Sequence, residues 1–343
     1  DVSEVTPFAV TDLYVTSDRP NNGTTGGGAE FGNRMRFYDD ANNLLGEYNV
    51  IVAVCDKSVG VEANCNAYTD GSDSWFKPEG AMQEHALEMR FALTSYAGED
   101  GNLRNGGVLR ANAKYLAAQR PAVGGGLESN PVAEINTAGQ YVFNPDSAAL
   151  GSGVNNSGIL NYINAFGLGA ERYKSNDPVA ELYYEGLRYI KNLGHTPEYS
   201  TALSASQKDN FPIVTSWDDP VKDACQVNYM IAIGDQFAWG DNSLPGASVL
   251  GSGVPAVPSN ADTDINVDTL TDRVGSLENF HAGSLGSQTR GRDNNGWYLA
   301  GLAYYANTED LRADFDGDQR VKTFVVDTQE YNASPPMREN NPF

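Results

Sequence analysis

The chain has 343 residues, 40% of them hydrophobic and 20% charged, with 36 glycines and a formal charge of −22 at pH 7. This composition excludes a disordered polymer and predicts a loop-rich globular protein of one elaborated domain or two modest ones. Carboxylates in excess without a basic run exclude binding to phosphate backbones or anionic lipid, and no apolar stretch approaches the ~20 residues that span a bilayer, so neither nucleic acid nor membrane insertion is expected.

Residues 8–55 alternate apolar and polar positions around the turn sequence NNGTTGGG and end in an apolar run at 48–55, which reads as β-structure. Cys55 and Cys65 bracket the polar loop CDKSVGVEANC, a spacing that suits a local disulfide and hence oxidising export. Free thiols of a cytosolic protein are the alternative; Cys225 stands alone, and no Cys/His cluster has zinc spacing. Asp1 opens on polar sequence without a signal segment, so the form is expected to be mature, excised from a longer chain, or cytoplasmic.

Residues 80–89 have helical composition and run into RFALTSY, a strand with a buried character. From 97 to 169 glycine, serine and asparagine dominate, and this stretch reads as a loop-rich insertion in a core made of 1–96 and 170–343. Asp177-Pro178 opens the clearest helix, with Val179, Leu182, Tyr183, Leu187, Ile190 and Leu193 on one face and Gly194 at its end. VNYMIAI, at 227–233, is an apolar run expected to be a strand buried on both faces, closing on Gly234-Asp235. A polar loop at 236–294 leads to the helical NGWYLAGLAYYANTEDLR and the strand KTFVVD. Helices alternating with buried strands predict an α/β fold with a doubly wound, mainly parallel sheet.

Ligands of such sheets bind beyond the carboxyl ends of the strands, which singles out Asp235 and the loop carrying Ser175 and Asp177. Their oxygen atoms suit calcium or magnesium. Each has a plainer reading: Asp177 as a helix cap before Pro178, Asp235 as a turn residue after Gly234. Asp314, Asp316 and Asp318 in DFDGDQ alternate as calcium-loop ligands do, but the glycine stands fourth rather than sixth and no suitably spaced glutamate follows, so a solvated acidic turn competes. DTDINVD, with Asp262, Asp264 and Asp268, has less motif content, and Asp56 with Ser58 and Asp1 with Ser3 lack a full Asp-x-Ser-x-Ser pattern. His85, His195 and His281 are scattered, and no GxSxG elbow, P-loop or dinucleotide fingerprint is present, so no enzyme is expected. Arg110, Arg290 and Arg292 could pair with the surplus acids or hold an anion, and Trp75, Trp239 and Trp297 could pack or stack on sugars.

The blocks VCDKSVGVEANC, FKPEG, MRFALTSY, NGGVLR, YKSNDPVAELYYEGLRYI, TSWDDPVKDACQVNYMIAIGD, NSLPG and WYLAGLAYYANTEDLR follow one another between about residues 34 and 327. In that order they resemble the PilY/PilC-type type IV pilus tip-associated adhesins and pilus biogenesis proteins. The resemblance implies a von Willebrand factor A-like domain, here with extra β-structure near the N-terminus, in a much larger exported protein at an extracellular pilus tip. It implies a non-enzymatic adhesion and pilus-assembly module, with minor pilins or other tip components, a host or abiotic surface receptor and the remainder of the same larger protein as partners. It equates Asp235 with the acidic position of the fourth-strand loop of such domains, and Asp177 with a position often held by threonine. The first strand with its Asp-x-Ser-x-Ser loop is not found, so the segment reads as trimmed at both ends, with an open sheet edge. A structural filament subunit without ligand, and a calcium- or magnesium-dependent surface hydrolase, are the alternatives.

Overall fold

The computed structural model describes residues 14–17, 34–38, 44–49, 54–97, 106–151, 153–165, 178–234, 241–249, 258–289 and 296–327. Its contacts divide the chain into two compact units, 1–81 and 82–343.

In the first unit, β1 (Tyr14–Ser17), β2 (Arg34–Tyr38) and β3 (Leu44–Asn49) form an antiparallel sheet in that order. A hairpin follows, β4 (Cys65–Asp70) with β5 (Asp73–Pro78), and it turns at Gly71, whose φ of 61° suits a residue without a Cβ. Cys55 and Cys65 are joined by a disulfide with Cα atoms 5.7 Å apart, which decides between the two readings of these cysteines; Cys225 is free and exposed.

A single turn, α1 (Ala81–Glu84), shorter than its composition suggests, begins at the last residue of the first unit, and β6 (Phe91–Ser95) follows in the second. The stretch read as an insertion supplies β7 (Val108–Lys114), antiparallel to β6, the small hairpin β8 (Gln119–Pro121) with β9 (Leu127–Ser129), and α2 (Ile159–Ala165). One apolar cluster, including Ala111, Leu116, Ile135 and Ile159, holds this part together.

The remaining elements are α3 (Val179–Ile190), α4 (Pro197–Ser200), β10 (Asn228–Gly234), α5 (Val267–Glu278), α6 (Tyr298–Thr308) and β11 (Val321–Asp327). β10 and β11 pair in parallel, Asn228 opposite Val321 through Gly234 opposite Asp327. This is the one parallel pairing among the described residues; the other sheets are antiparallel. The fold is therefore mixed α/β with small sheets. The expectation of a mainly parallel sheet came from helices alternating with apolar strands, but β6 and β7, close in sequence, pair antiparallel.

α3 is the hub. Nearly every position along it is buried, and it packs on the parallel pair and on β6 and β7: Met230 would meet a Cβ on Gly186 at 2.6 Å, and the Tyr189 hydroxyl accepts from the Ala113 amide at 2.8 Å. The main core joins α3, α6, the 244–249 segment and Val321. α5 lies inside the stretch expected to be loop. Its inward residues are Val267, Thr271 and Gly275, at helical spacing but small, so they give no hydrophobic signal. Small residues are what the packing needs, since a Cβ on Gly301 of α6 would come within 2.8 Å of the Thr271 amide. Asn266 caps α5 by accepting from Thr269 N. Among the described residues no helix is long and apolar enough to cross a membrane.

Candidate functional site

β10 and β11 end level, at Gly234 and Asp327. α3 runs against them: Tyr183 reaches Thr323 (2.6 Å), while the Ile190 carbonyl accepts from Arg312, ahead of β11. The first turn of α3 thus lies toward the carboxyl ends of the pair. Its own N-cap, Pro178, has no side-chain hydrogen bond to offer. Asp241, from beyond β10, takes that role, accepting from the amides of Ala180 (3.0 Å) and Glu181 (2.9 Å). The fully buried Glu181 accepts in turn from the amides of Gly106 (2.6 Å), Asn242 (3.0 Å) and Ser243 (2.7 Å). Two carboxylates therefore stitch three chain segments together at the end of the sheet, each stabilised by amides and by the positive end of the helix.

One turn further along α3, Glu185 is fully buried and accepts from Thr196 N (2.9 Å) and Thr196 Oγ1 (2.6 Å). Burial pushes its carboxyl up to about 7, against the pull of the Thr196 bonds and the Arg188 charge. Arg188 donates to the carbonyls of Leu193, Gly194 and Asn260. Lys191 pairs with Asp262 at 2.5 Å and with Asp264 at 3.3 Å.

Ser175, Asp177 and Asp235 lie outside the described residues; their neighbours Pro178 and Gly234 stand at the start of α3 and the end of β10. Asp314, Asp316 and Asp318 are not brought together as a ligand set. Arg312 holds Asp314 with Nε and Nη2, both at 2.8 Å, Arg320 holds Asp318 at 2.8 Å, and the Asp316 carbonyl serves Gln319. Two of the three carboxylates, those of Asp314 and Asp318, are thus turned toward arginines rather than toward a common point. Asp268 accepts from Ser248 N, and Asp56 closes a local turn with Ser58 N and Oγ, both at 2.8 Å. Among the described residues the one group of three close metal-ligating side chains is Cys55, Glu62 and Cys65, and its sulfurs are spent in the disulfide, with Glu62 accepting from Cys55 N.

His195 bonds Ser200 Oγ at 2.6 Å, His85 pairs with Glu88, and His281 stacks edge-on with Phe280. Arg110 is buried and serves Ser95 Oγ, the Tyr96 and Lys208 carbonyls and Asp209, so it binds the protein itself rather than a ligand. Trp297 packs against Phe280 in the interior and Trp75 is half-buried; Trp239, Arg290 and Arg292 lie outside the described residues. Asp241, Glu181 and Glu185 were missed in the sequence. Glutamates at the third and seventh positions of a helix that is, Arg188 apart, otherwise uncharged were the available signal.

A family model described as PilY1 homolog, second domain, matches residues 95–296. The chain is also 35% identical, over 349 aligned positions, to a protein of Xylella fastidiosa named type IV pilus biogenesis factor PilY1 homolog. This chain belongs to the PilY1 homolog family. The alignment takes in 87% of the chain but 28% of the Xylella protein, so the chain spans under a third of that relative's length. No solved structure matches it. Within the family-matched stretch lie β7, α3, β10 and α5, together with Glu181, Glu185 and Asp241.

Proposed function

We propose that this chain serves type IV pilus biogenesis as a non-enzymatic binding and assembly module, with a von Willebrand factor A-like sheet, on the outside of the cell at a pilus tip. The observation that carries the reading is the family match across 95–296, reinforced by a related protein named as a pilus biogenesis factor. The parallel β10–β11 pair with α3 running antiparallel across one face supports the architecture, and the Cys55–Cys65 disulfide supports export. Minor pilins or other tip components, a surface receptor and the remainder of a larger polypeptide are its proposed partners.

The proposal includes a calcium or magnesium ion beyond the carboxyl ends of the pair, held by Asp235, Asp177 and Ser175. Carboxylate and hydroxyl oxygens are the donors a hard cation takes, and the open ends of parallel strands are where such ligands gather. Calorimetric titration with each cation, on the protein and on Asp235→Ala, tests this. Saturable binding lost in the variant is expected; absence of binding by the unaltered protein removes the ion and leaves assembly alone. For the wider reading, replacing this chain's segment in the source bacterium should abolish surface pili, and unchanged piliation would overturn it.

A further inference from the structure

Alternation along β10 sends Asn228 and Met230 toward the core and Tyr229, Ile231 and Ile233 outward. The parallel register puts Phe324 opposite Ile231 and Val326 opposite Ile233, on the same outward face. These five side chains are exposed by 45% (Tyr229), 66% (Ile231), 64% (Ile233), 54% (Phe324) and 49% (Val326). They form a continuous apolar surface, tied by a ring contact between Tyr229 and Phe324 at 6.1 Å, with Lys322 as its one charged residue. The run VNYMIAI was expected to be buried on both faces, and the structure buries one.

A surface of this kind is unusual on physical grounds. Parallel strands carry helices on both faces because their side chains are apolar on both, and two strands alone do not make a stable sheet. α3 supplies one layer here. In the Xylella relative nearly three-quarters of the polypeptide lies outside the aligned region, and the family model places its match in a second domain, so such polypeptides hold ample chain to supply the other. A second copy is the poorer occupant, since it would press together two chains of formal charge −22.

We propose that the outward face of the β10–β11 pair is an interdomain interface, covered in the complete gene product by an amphipathic helix-bearing segment from outside these 343 residues. It rests on the reading of the chain as a module of a larger polypeptide, and not on the cation or on adhesion. The covering segment presents aliphatic and aromatic side chains to Ile231, Ile233 and Phe324.

Thiol accessibility tests it. In a Cys225→Ser background, cysteine is placed singly at Ile231, Val326 and, as a control on the exposed β8–β9 tip, Val123. Maleimide labelling rates are then compared between the 343-residue protein and the complete gene product. Slowing by about tenfold or more at 231 and 326 in the complete product, with Val123 unchanged, is expected. Equal rates in both proteins overturn the proposal. So does protection in the 343-residue protein that grows with its concentration, which assigns the face to a second copy. Two face positions guard against one variant that folds poorly, and labelling does not depend on whether pili form, so the result stands apart from the test of function.

Discussion

Glu185 offers a sharp test of the buried network in α3. Its carboxyl has no exposed surface, and in the fold it is pushed up to about 7 from an ordinary 4.5, with desolvation the dominant cause. The native state therefore keeps a proton that the unfolded chain gives up once the pH passes 4.5. The contribution to stability is complete below that point, declines as pH rises to about 7, and is flat beyond. At about 1.4 kcal/mol per pH unit the whole span is on the order of 3 kcal/mol, of which roughly 2 to 3 kcal/mol falls between pH 5 and 8. Glu185→Gln removes the titration and keeps the shape: Oε1 still accepts from Thr196 N, and Nε2 donates to Thr196 Oγ1. Urea unfolding of both proteins, followed by tryptophan fluorescence across this pH range, gives the difference in stability free of every other titrating group. The Gln variant should gain on the unaltered protein by roughly 2 to 3 kcal/mol from pH 5 to pH 8. A difference that stays flat, or runs the other way, would refute the assignment of a raised carboxyl to Glu185.

Arg312→Ala should cost about 1 kcal/mol in denaturant unfolding, since it leaves Asp219 without the guanidinium that holds it, and water reaches that carboxylate. Because Arg312 holds the Asp219 carboxyl below its usual value, that cost should be full above pH 4 and shrink as the pH falls further; a cost unchanged at pH 2.5 would count against the pairing. Gly301→Ala should destabilise by ~2 kcal/mol through the clash with the Thr271 backbone, read as a lower urea midpoint, and a neutral result would mean that α5 and α6 are further apart than described. Thr271→Val should be neutral or stabilising by about 1 kcal/mol in the same assay, as the Thr271 hydroxyl is buried without a hydrogen-bond partner among the described residues. Opening the Cys55–Cys65 loop by Cys→Ser at both positions should destabilise the 1–81 unit by about 3 kcal/mol, visible as faster proteolysis of that unit.

What could be read from the sequence follows the length and contrast of its apolar patterns. α3, α6, β10 and β11 each carry long apolar residues at one clear period, and the structure has both strands within a residue of expectation, while α3 stops at Ile190, short of Leu193 and Gly194, and α6 spans only 298–308 of the stretch read as helical. α5 escaped because Val267, Thr271 and Gly275 bury almost no apolar area, and β7 because its central Arg110 is buried while reading as a surface charge. Arg110 is inside only because six distinct oxygens from 95–96 and 208–212 converge on it, an arrangement set by tertiary packing that no local window contains. The outward face of β10 shows the reverse: the sequence pattern describes burial in a larger body than these residues form by themselves.

The acidic balance invites a similar revision. An excess of carboxylates can signal bound cations or plain solubility, yet the most buried of them here bind amides. Glu134 accepts from Ile159 N (2.6 Å) and Leu160 N (2.7 Å) at the start of α2 while pairing with Lys114 at 2.8 Å. Asp241 does the same for α3, and Glu181 gathers three loop amides. In each case a carboxylate satisfies the backbone donors that a helix start or loop leaves open, with the helix dipole favouring the charge and, for Glu134, the Lys114 ammonium beside it. A family member rich in glycine loops, with 36 glycines to anchor, gains fixed geometry from such long-range caps. The net charge of this chain is thus no argument for a metal, and the cation proposal rests on the oxygen chemistry of Ser175, Asp177 and Asp235 and on the calorimetric titration of Asp235→Ala.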